Sequence, residues 1–181
     1  MPIIWFYNNI IGDARSLVAN FTAFCNDRSI ASQAGHNIFG IGTIGTGLEA
    51  SLTVYGFWDR QVWGGTAGNY PTLICPREED RLIMPVGIIS LDEVNIAGGR
   101  GGWNNMDFFL AISAWFWSMS PGGFRAGSGA CVGVVNSNGT IQTDWLSTSS
   151  HGVRPVLSLN SNVRATGNGS ATNPFIIQIP E

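Results

Sequence analysis

Short apolar runs alternate along the chain with clusters of glycine, asparagine, serine and proline, most regularly in its second half. Ala114-Trp115-Phe116-Trp117-Ser118-Met119-Ser120-Pro121 is followed by a glycine-rich turn, Ala130-Cys131-Val132-Gly133-Val134-Val135-Asn136, a second turn, Ile141-Gln142-Thr143-Asp144-Trp145, and Gly152-Val153-Arg154-Pro155-Val156-Leu157-Ser158-Leu159. Four β-rich runs at regular spacing predict an antiparallel meander. Asn136-Ser137-Asn138-Gly139 carries Asn-Gly, the strongest short hairpin signal, because a type I′ turn needs φ > 0 at both central residues. Residues 132–135 and 141–145 are its expected partners. The two-residue period puts Trp115 and Trp117 on one face and Phe116 and Ser118 on the other. Because a sheet of this kind buries one face, the tryptophan pair is read mainly as core.

Upstream, Asp13 suits the N-cap of a helix over residues 14–25, where Leu17, Val18, Phe21, Phe24 and Cys25 recur at helical spacing. Pro71-Thr72-Leu73-Ile74-Cys75-Pro76 reads as a short strand closed by proline. Ser90 and Glu93 stand in the S-x-x-E relation of a capping box. The short helix it opens has Val94, Ile96 and Ala97 on its apolar side and Gly98-Gly99 at its end. The cap and the helix dipole account for Asp92 and Glu93 without acid–base catalysis. Residues 106–112 are apolar and fit either helix or strand, and residues 167–170 read as a turn followed by a terminal strand over residues 173–179 that adds to a sheet edge.

Residues 39–47 contain G-x-G-x-x-G, but only Leu48-Glu49-Ala50 separates them from the strand-like Ser51-Leu52-Thr53-Val54-Tyr55. A dinucleotide loop needs a helix of several turns there, so the stretch reads as a flexible glycine-rich connection. Residues 64–69 and 98–105 read as further glycine-rich loops, the second pinned by Trp103.

Composition narrows the function. One domain of 181 residues is the simplest organisation. All nine basic residues are arginine, which removes Schiff-base chemistry, a phosphate-loop lysine and Ser-Lys nucleophile pairs. The net charge of −3 without a basic cluster argues against nucleic acid. No apolar stretch reaches the ~18 residues of a membrane span, and no secretory signal is visible at the N-terminus. Cys25, Cys75 and Cys131 show no C-x-x-C spacing, and with His36 and His151 far apart no metal site is assigned. Cys25 and Cys75 are either a disulfide of a protein outside the cell or buried free thiols.

A combination of short motifs then resembles a known group. It comprises Phe24-Cys25-Asn26-Asp27-Arg28, Tyr55-Gly56-x-x-x-Arg60, Pro71-Thr72-Leu73-x-Cys75-Pro76, Val86-Gly87-x-x-Ser90-x-Asp92-Glu93-Val94, Trp117-Ser118-Met119-Ser120-Pro121, Gly152-Val153-Arg154-Pro155-Val156 and Gly169-x-x-x-Asn173-Pro174-Phe175. Together these resemble a family of bacterial and phage domains on a branch of the C-type-lectin-like fold. That branch includes formylglycine-generating enzyme and the variable proteins of diversity-generating retroelements. The resemblance implies an α+β domain of short antiparallel sheets with one or two helices, used as a scaffold for display. In the variable proteins, residues just before the end of the fold contact the ligand. At matching positions these are Trp145, Ser147, Ser149, Ser150 and His151, with Phe124 and Arg125. The copper chemistry of formylglycine-generating enzyme and the calcium motifs of lectins are absent, so no cofactor is implied.

His151, Asp144 and Ser147 form the one conceivable triad, but they lie in a single polar loop without an oxyanion signal, and no catalytic residue is assigned. Arg154, inside an apolar strand, is expected to bond backbone carbonyls. The expected function is a non-enzymatic binding module on a virion or a cell surface, a phage receptor-binding or adhesin domain recognising a protein or glycan. The alternatives are a structural or decoration subunit docking on other subunits through Trp5-Phe6-Tyr7 and the glycine-rich loops, and an enzyme of the formylglycine-generating kind.

Overall fold

The computed structural model describes residues 8, 11–31, 52–61, 70–102, 104–125, 129–170 and 172–178. The expectations for Trp5-Phe6-Tyr7, the glycine-rich stretches 39–47 and 64–69, and Trp103 lie outside the described residues. In chain order the elements are a 3₁₀ turn at Gly12–Leu17, β1 (Thr22–Cys25), β2 (Leu52–Val54), α1 (Phe57–Arg60), a 3₁₀ turn at Glu78–Asp80, β3 (Arg81–Met84), β4 (Val86–Ile88) and α2 (Leu91–Ile96). There follow β5 (Arg100–Gly101), β6 (Phe116–Arg125), β7 (Gly129–Val135), β8 (Thr140–Trp145), β9 (Gly152–Val153), β10 (Pro155–Leu157), β11 (Arg164–Thr166) and β12 (Ile176–Gln178). With sheet dominating two short α-helices, the described chain is α+β. It falls into two compact units, Met1–Thr22 with Ile83–Gly87 and Pro155–Glu181, and Ala23–Leu82 with Ile88–Arg154.

The larger unit is built on a six-stranded sheet in the order β2-β6-β7-β8-β5, with β9 also on β6. The β6–β7–β8 meander is the expected one, with Cys131 opposite Trp145 and Val135 opposite Ile141. Its second turn differs in detail from the expected type I′. Gly139 alone in the turn has positive φ, 77°, while Asn138 does not. Asn136 N–H donates to Thr140 O (3.0 Å), and its Oδ1 accepts from the amides of Asn138 and Thr140. This is the longer hairpin loop in which a left-handed glycine closes an ordinary turn. A side chain at Gly139 would also strike the Asn105 carbonyl.

The fourth run does not extend the meander. β9 pairs with β6 in parallel, Gly152 opposite Phe116, so the segment after β8 crosses back to the other edge of β6. There it continues the line of β2, which occupies the Gly123 to Arg125 end of that edge. The next residues, β10, pair with β4 instead.

The core lies on the face of β6 that carries Phe116, Ser118 and Ser120, all buried. Phe57 and Trp58 of α1, Leu91 and Val94 of α2, and Phe108, Val135 and Ile141 pack there. The buried hydroxyls are used: Ser118 donates to Gly133 O (2.8 Å) and Ser120 accepts from Leu91 N–H (2.9 Å). Helix α2 starts as its sequence dictates, with both arms of the Ser90–Glu93 capping box in place. It sits so close to β7 that a methyl group on Gly133 would collide with Leu91. Trp115 and Trp117 therefore face away from this core and are half-buried, contrary to the core reading. Alternation fixes which residues share a face, and the small polar Ser118 and Ser120 occupy the inner one because α2 approaches there.

Three local readings are overturned. The helix over residues 14–25 is instead the 3₁₀ turn Gly12–Leu17, with Ile11 rather than Asp13 at the N-cap position and no side-chain cap, followed by an extended Val18 and the strand β1. Phe21, on the supposed apolar stripe, is 86% exposed, and β1 instead pairs with β3. Residues 71–76 bend rather than extend, with Ile74 N–H bound to Thr72 Oγ1 at 3.0 Å. Residues 106–112 are neither helix nor strand but successive turns, Phe108 N–H to Asn105 O and Ala111 N–H to Phe108 O.

In the smaller unit β4 pairs with β10, and Val18 bridges Leu159. Asn160 clamps the pairing by donating to Ser16 O at 2.8 Å. The terminal strand forms its own antiparallel pair, β11 with β12, rather than adding to an existing edge.

Candidate functional site

The end of β8 positions a fixed carboxylate beside a returning histidine. Asp144 lies opposite Val132 on β7, and its Oδ1 accepts the Trp145 amide at 2.8 Å. After the turn, His151 Nε2 comes back to 2.7 Å from Asp144 Oδ2. The imidazole stacks on Trp115, with centroids 5.0 Å apart and planes at 23°, and is tilted against Trp117 at 4.6 Å. Next along the chain, Gly152 N–H donates to Trp115 O at 3.0 Å and begins β9. The two tryptophans thus hold the histidine that ends the loop. Burial alone would raise the Asp144 carboxyl. Hydrogen bonds from His151, the Ser149 hydroxyl and the Trp145 amide, with the His151 charge, outweigh it and hold the group below the ordinary aspartate value.

At its start the loop is tied by Leu146 N–H to Ala130 O (3.0 Å) and by Ser149 N–H to Trp145 O (3.1 Å). Between the anchors Leu146, Ser147, Thr148 and Ser150 are exposed. Among the residues expected to bind, Ser147 and Ser150 are exposed, Trp145 and Ser149 are half-buried, and the His151 side chain, 13% exposed, is turned onto the tryptophans. Phe124 is exposed and pairs with Ala130, the residue whose carbonyl holds Leu146. Arg125 pairs with Gly129, where an added Cβ would lie 3.9 Å from Ser147 Oγ. The strand positions of Phe124 and Arg125 are therefore brought beside the 145–151 loop, although they lie some twenty residues away in sequence. Sequence reasoning missed the part of Trp115 and Trp117 in this face. Their signal, two aromatics sharing one face of a strand, was visible but does not say which face is inner.

The Ser149 hydroxyl also bonds the Asp144 carboxylate. Arg154 behaves as its setting predicts, donating to Leu110 O at 2.6 Å with its guanidinium 4.8 Å over the Phe116 ring.

A second constellation surrounds Arg60 and was not singled out from the sequence. Arg60 Nε and Nη2 grip both oxygens of Asp92 at 2.8 Å, and Nη2 also reaches Asp27 Oδ2 at 2.7 Å. Asp92 further accepts the Thr72 amide at 3.0 Å, and Asp27 that of Ser29 at 2.9 Å. Asp92 is thus a partner of Arg60, which corrects its assignment to the helix dipole alone. Burial lowers the Arg60 pKa, but the hydrogen bonds and charges of Asp92 and Asp27 override it and raise the pKa above the ordinary value. The open choice for the cysteines resolves as a Cys25–Cys75 disulfide with Cα atoms 5.4 Å apart. These groups line a cavity of about 300 Å³. Among the described residues no group of three His, Cys, Asp or Glu side chains is placed to hold a metal ion, and no helix is long and apolar enough to cross a membrane.

Comparison with family models, curated proteins and solved structures finds no match to this chain.

Proposed function

We propose that this chain is a non-enzymatic binding module of C-type-lectin-like fold, carried on a virion or cell surface, that recognises a protein or glycan through the loop ending at His151. The observation that carries this reading is the double anchoring of that loop. One end is held by Leu146 N–H on Ala130 O, the other by His151 between Trp115, Trp117 and Asp144. Exposed polar residues on a scaffold fixed this way lose little entropy on binding, which is how a display loop gains affinity. Trp145, Ser147, Ser149, Ser150 and His151 form the contact face or its support, with Phe124 and Arg125 at its margin. The Cys25–Cys75 disulfide fits an oxidising location.

A photo-reactive residue at Ser147 or Ser150 tests the assignment on intact cells. Adducts are expected at these positions and not at Ser161, which is exposed in the other unit. Equal labelling at Ser161 would remove the site.

The second reading, a structural or decoration subunit, is favoured by the smaller unit. There Phe175 and Ile176, at the start of β12, leave more than 60% of their surface exposed. Exposed apolar groups of this kind are what docking on a larger assembly covers.

A further inference from the structure

The cavity beside Arg60 lies outside the loop just proposed to bind, and its chemistry is of a different kind. The bend at residues 72–76 lines it, and there Leu73 and Ile74 are 70% and 79% exposed. That bend is unusually fixed for a surface loop. The Cys25–Cys75 disulfide holds one end, Thr72 N–H is bonded to Asp92, and Thr72 Oγ1 takes the Ile74 amide. Phe24, buried, adds to the apolar lining.

Polar groups share the lining. Arg60 stands between Asp27 and Asp92, so this trio carries one negative charge with its cation already engaged. Glu93 lines the same cavity and adds a second. Its Oε2 accepts the Ser90 amide and hydroxyl, while its Oε1 accepts no hydrogen bond among the described residues. The remaining lining cation, Arg81, is half-exposed and loosely paired with Glu78 at 4.0 Å. A cavity with apolar and net negative lining, and a carboxylate oxygen that accepts no hydrogen bond among the described residues, suits a cation on an aliphatic stem. About 300 Å³ is at the lower end of ligand-pocket sizes, enough for one such chain.

We infer that this cavity binds a primary alkylammonium group, its stem against Leu73, Ile74 and Phe24 and its charge at Glu93. A lysine side chain of a partner protein and a free polyamine share this chemistry.

The test is an amide NMR titration of the full chain with n-butylammonium chloride, with sodium butyrate at matched ionic strength as the charge-reversed control. Butylammonium is expected to give saturable shifts at Thr72, Ile74 and Glu93, and butyrate none. Glu93→Gln should weaken butylammonium about fivefold, because a neutral amide replaces a charge-assisted acceptor. Glutamine also serves at this capping-box position, so the helix start survives, and an unchanged melting temperature separates lost binding from lost fold. N-acetyl-lysine methylamide and putrescine then name the source, the tighter of the two indicating a protein side chain or a free polyamine. Absence of saturable shifts with butylammonium, equal shifts with butyrate, or full affinity in a folded Glu93→Gln variant would each overturn the inference.

Discussion

His151 Nε2 lies 2.7 Å from Asp144 Oδ2 while its ring rests on Trp115 and Trp117, joining the end of β8 to the residues that lead into and begin β6 through one side chain. His151→Ala removes the stack and the hydrogen bond together. It should destabilise the protein by about 1–2 kcal/mol and speed amide exchange at Ser149 and Gly152. His151→Phe keeps the stack alone and is expected to fall between the two. Thermal melts and hydrogen exchange check both.

The depressed Asp144 carboxyl gives the same contact an acid limit. A group whose folded pKa is lowered contributes stability that is fully present above its unfolded value and lost as pH falls through the folded one. Amide protection at Trp145 and Ser149 should therefore be constant on the neutral side of the ordinary aspartate range and drop on its acid side. Asp144→Asn should lack this acid step and show weaker protection at neutral pH.

Arg60 links Asp27 and Asp92, whose side chains are 6% and 9% exposed. Removing it strands two buried carboxylates, so Arg60→Ala should destabilise by about 3–5 kcal/mol in urea titrations. Arg60→Lys should recover only part of this, because an ammonium cannot grip both oxygens of Asp92 while reaching Asp27.

The three cysteines should separate by chemistry. Burial pushes the Cys131 thiol up to about 12, against the smaller opposing hydrogen bond from Thr143. Native protein should show no thiol reactive to a disulfide reagent at pH 8, and one after denaturation. The disulfide closes a separation of 50 residues, so replacing Cys25 and Cys75 by serine should lower stability by about 2–4 kcal/mol.

What could be read from the sequence was what local chemistry decides. Asn-Gly at 138–139 located the β7–β8 hairpin, and Ser90 with Glu93 located the start of α2. The helix expected over residues 14–25 failed because its periodic apolar positions did not say whether a buried surface awaited them, and Phe21 is exposed. The candidate loop was legible as a polar run between Trp145 and Gly152, with Asp144, Ser147 and His151 already grouped. The histidine's tryptophan support was not. It depends on β9 returning to β6 in parallel, a pairing that joins residues about 36 apart and leaves no local mark. The Arg60 network is of the same kind, with partners 32 and 33 residues away.

The anchored loop is proposed as the recognition surface. Its most direct test is the binding of labelled protein to host cells and immobilised glycans before and after replacing Trp145, Ser147, Ser149, Ser150 and His151 together, with folding confirmed by circular dichroism. Affinity should fall at least about tenfold, as when the central contacts of an interface are removed. Unchanged binding by the folded variant would contradict it.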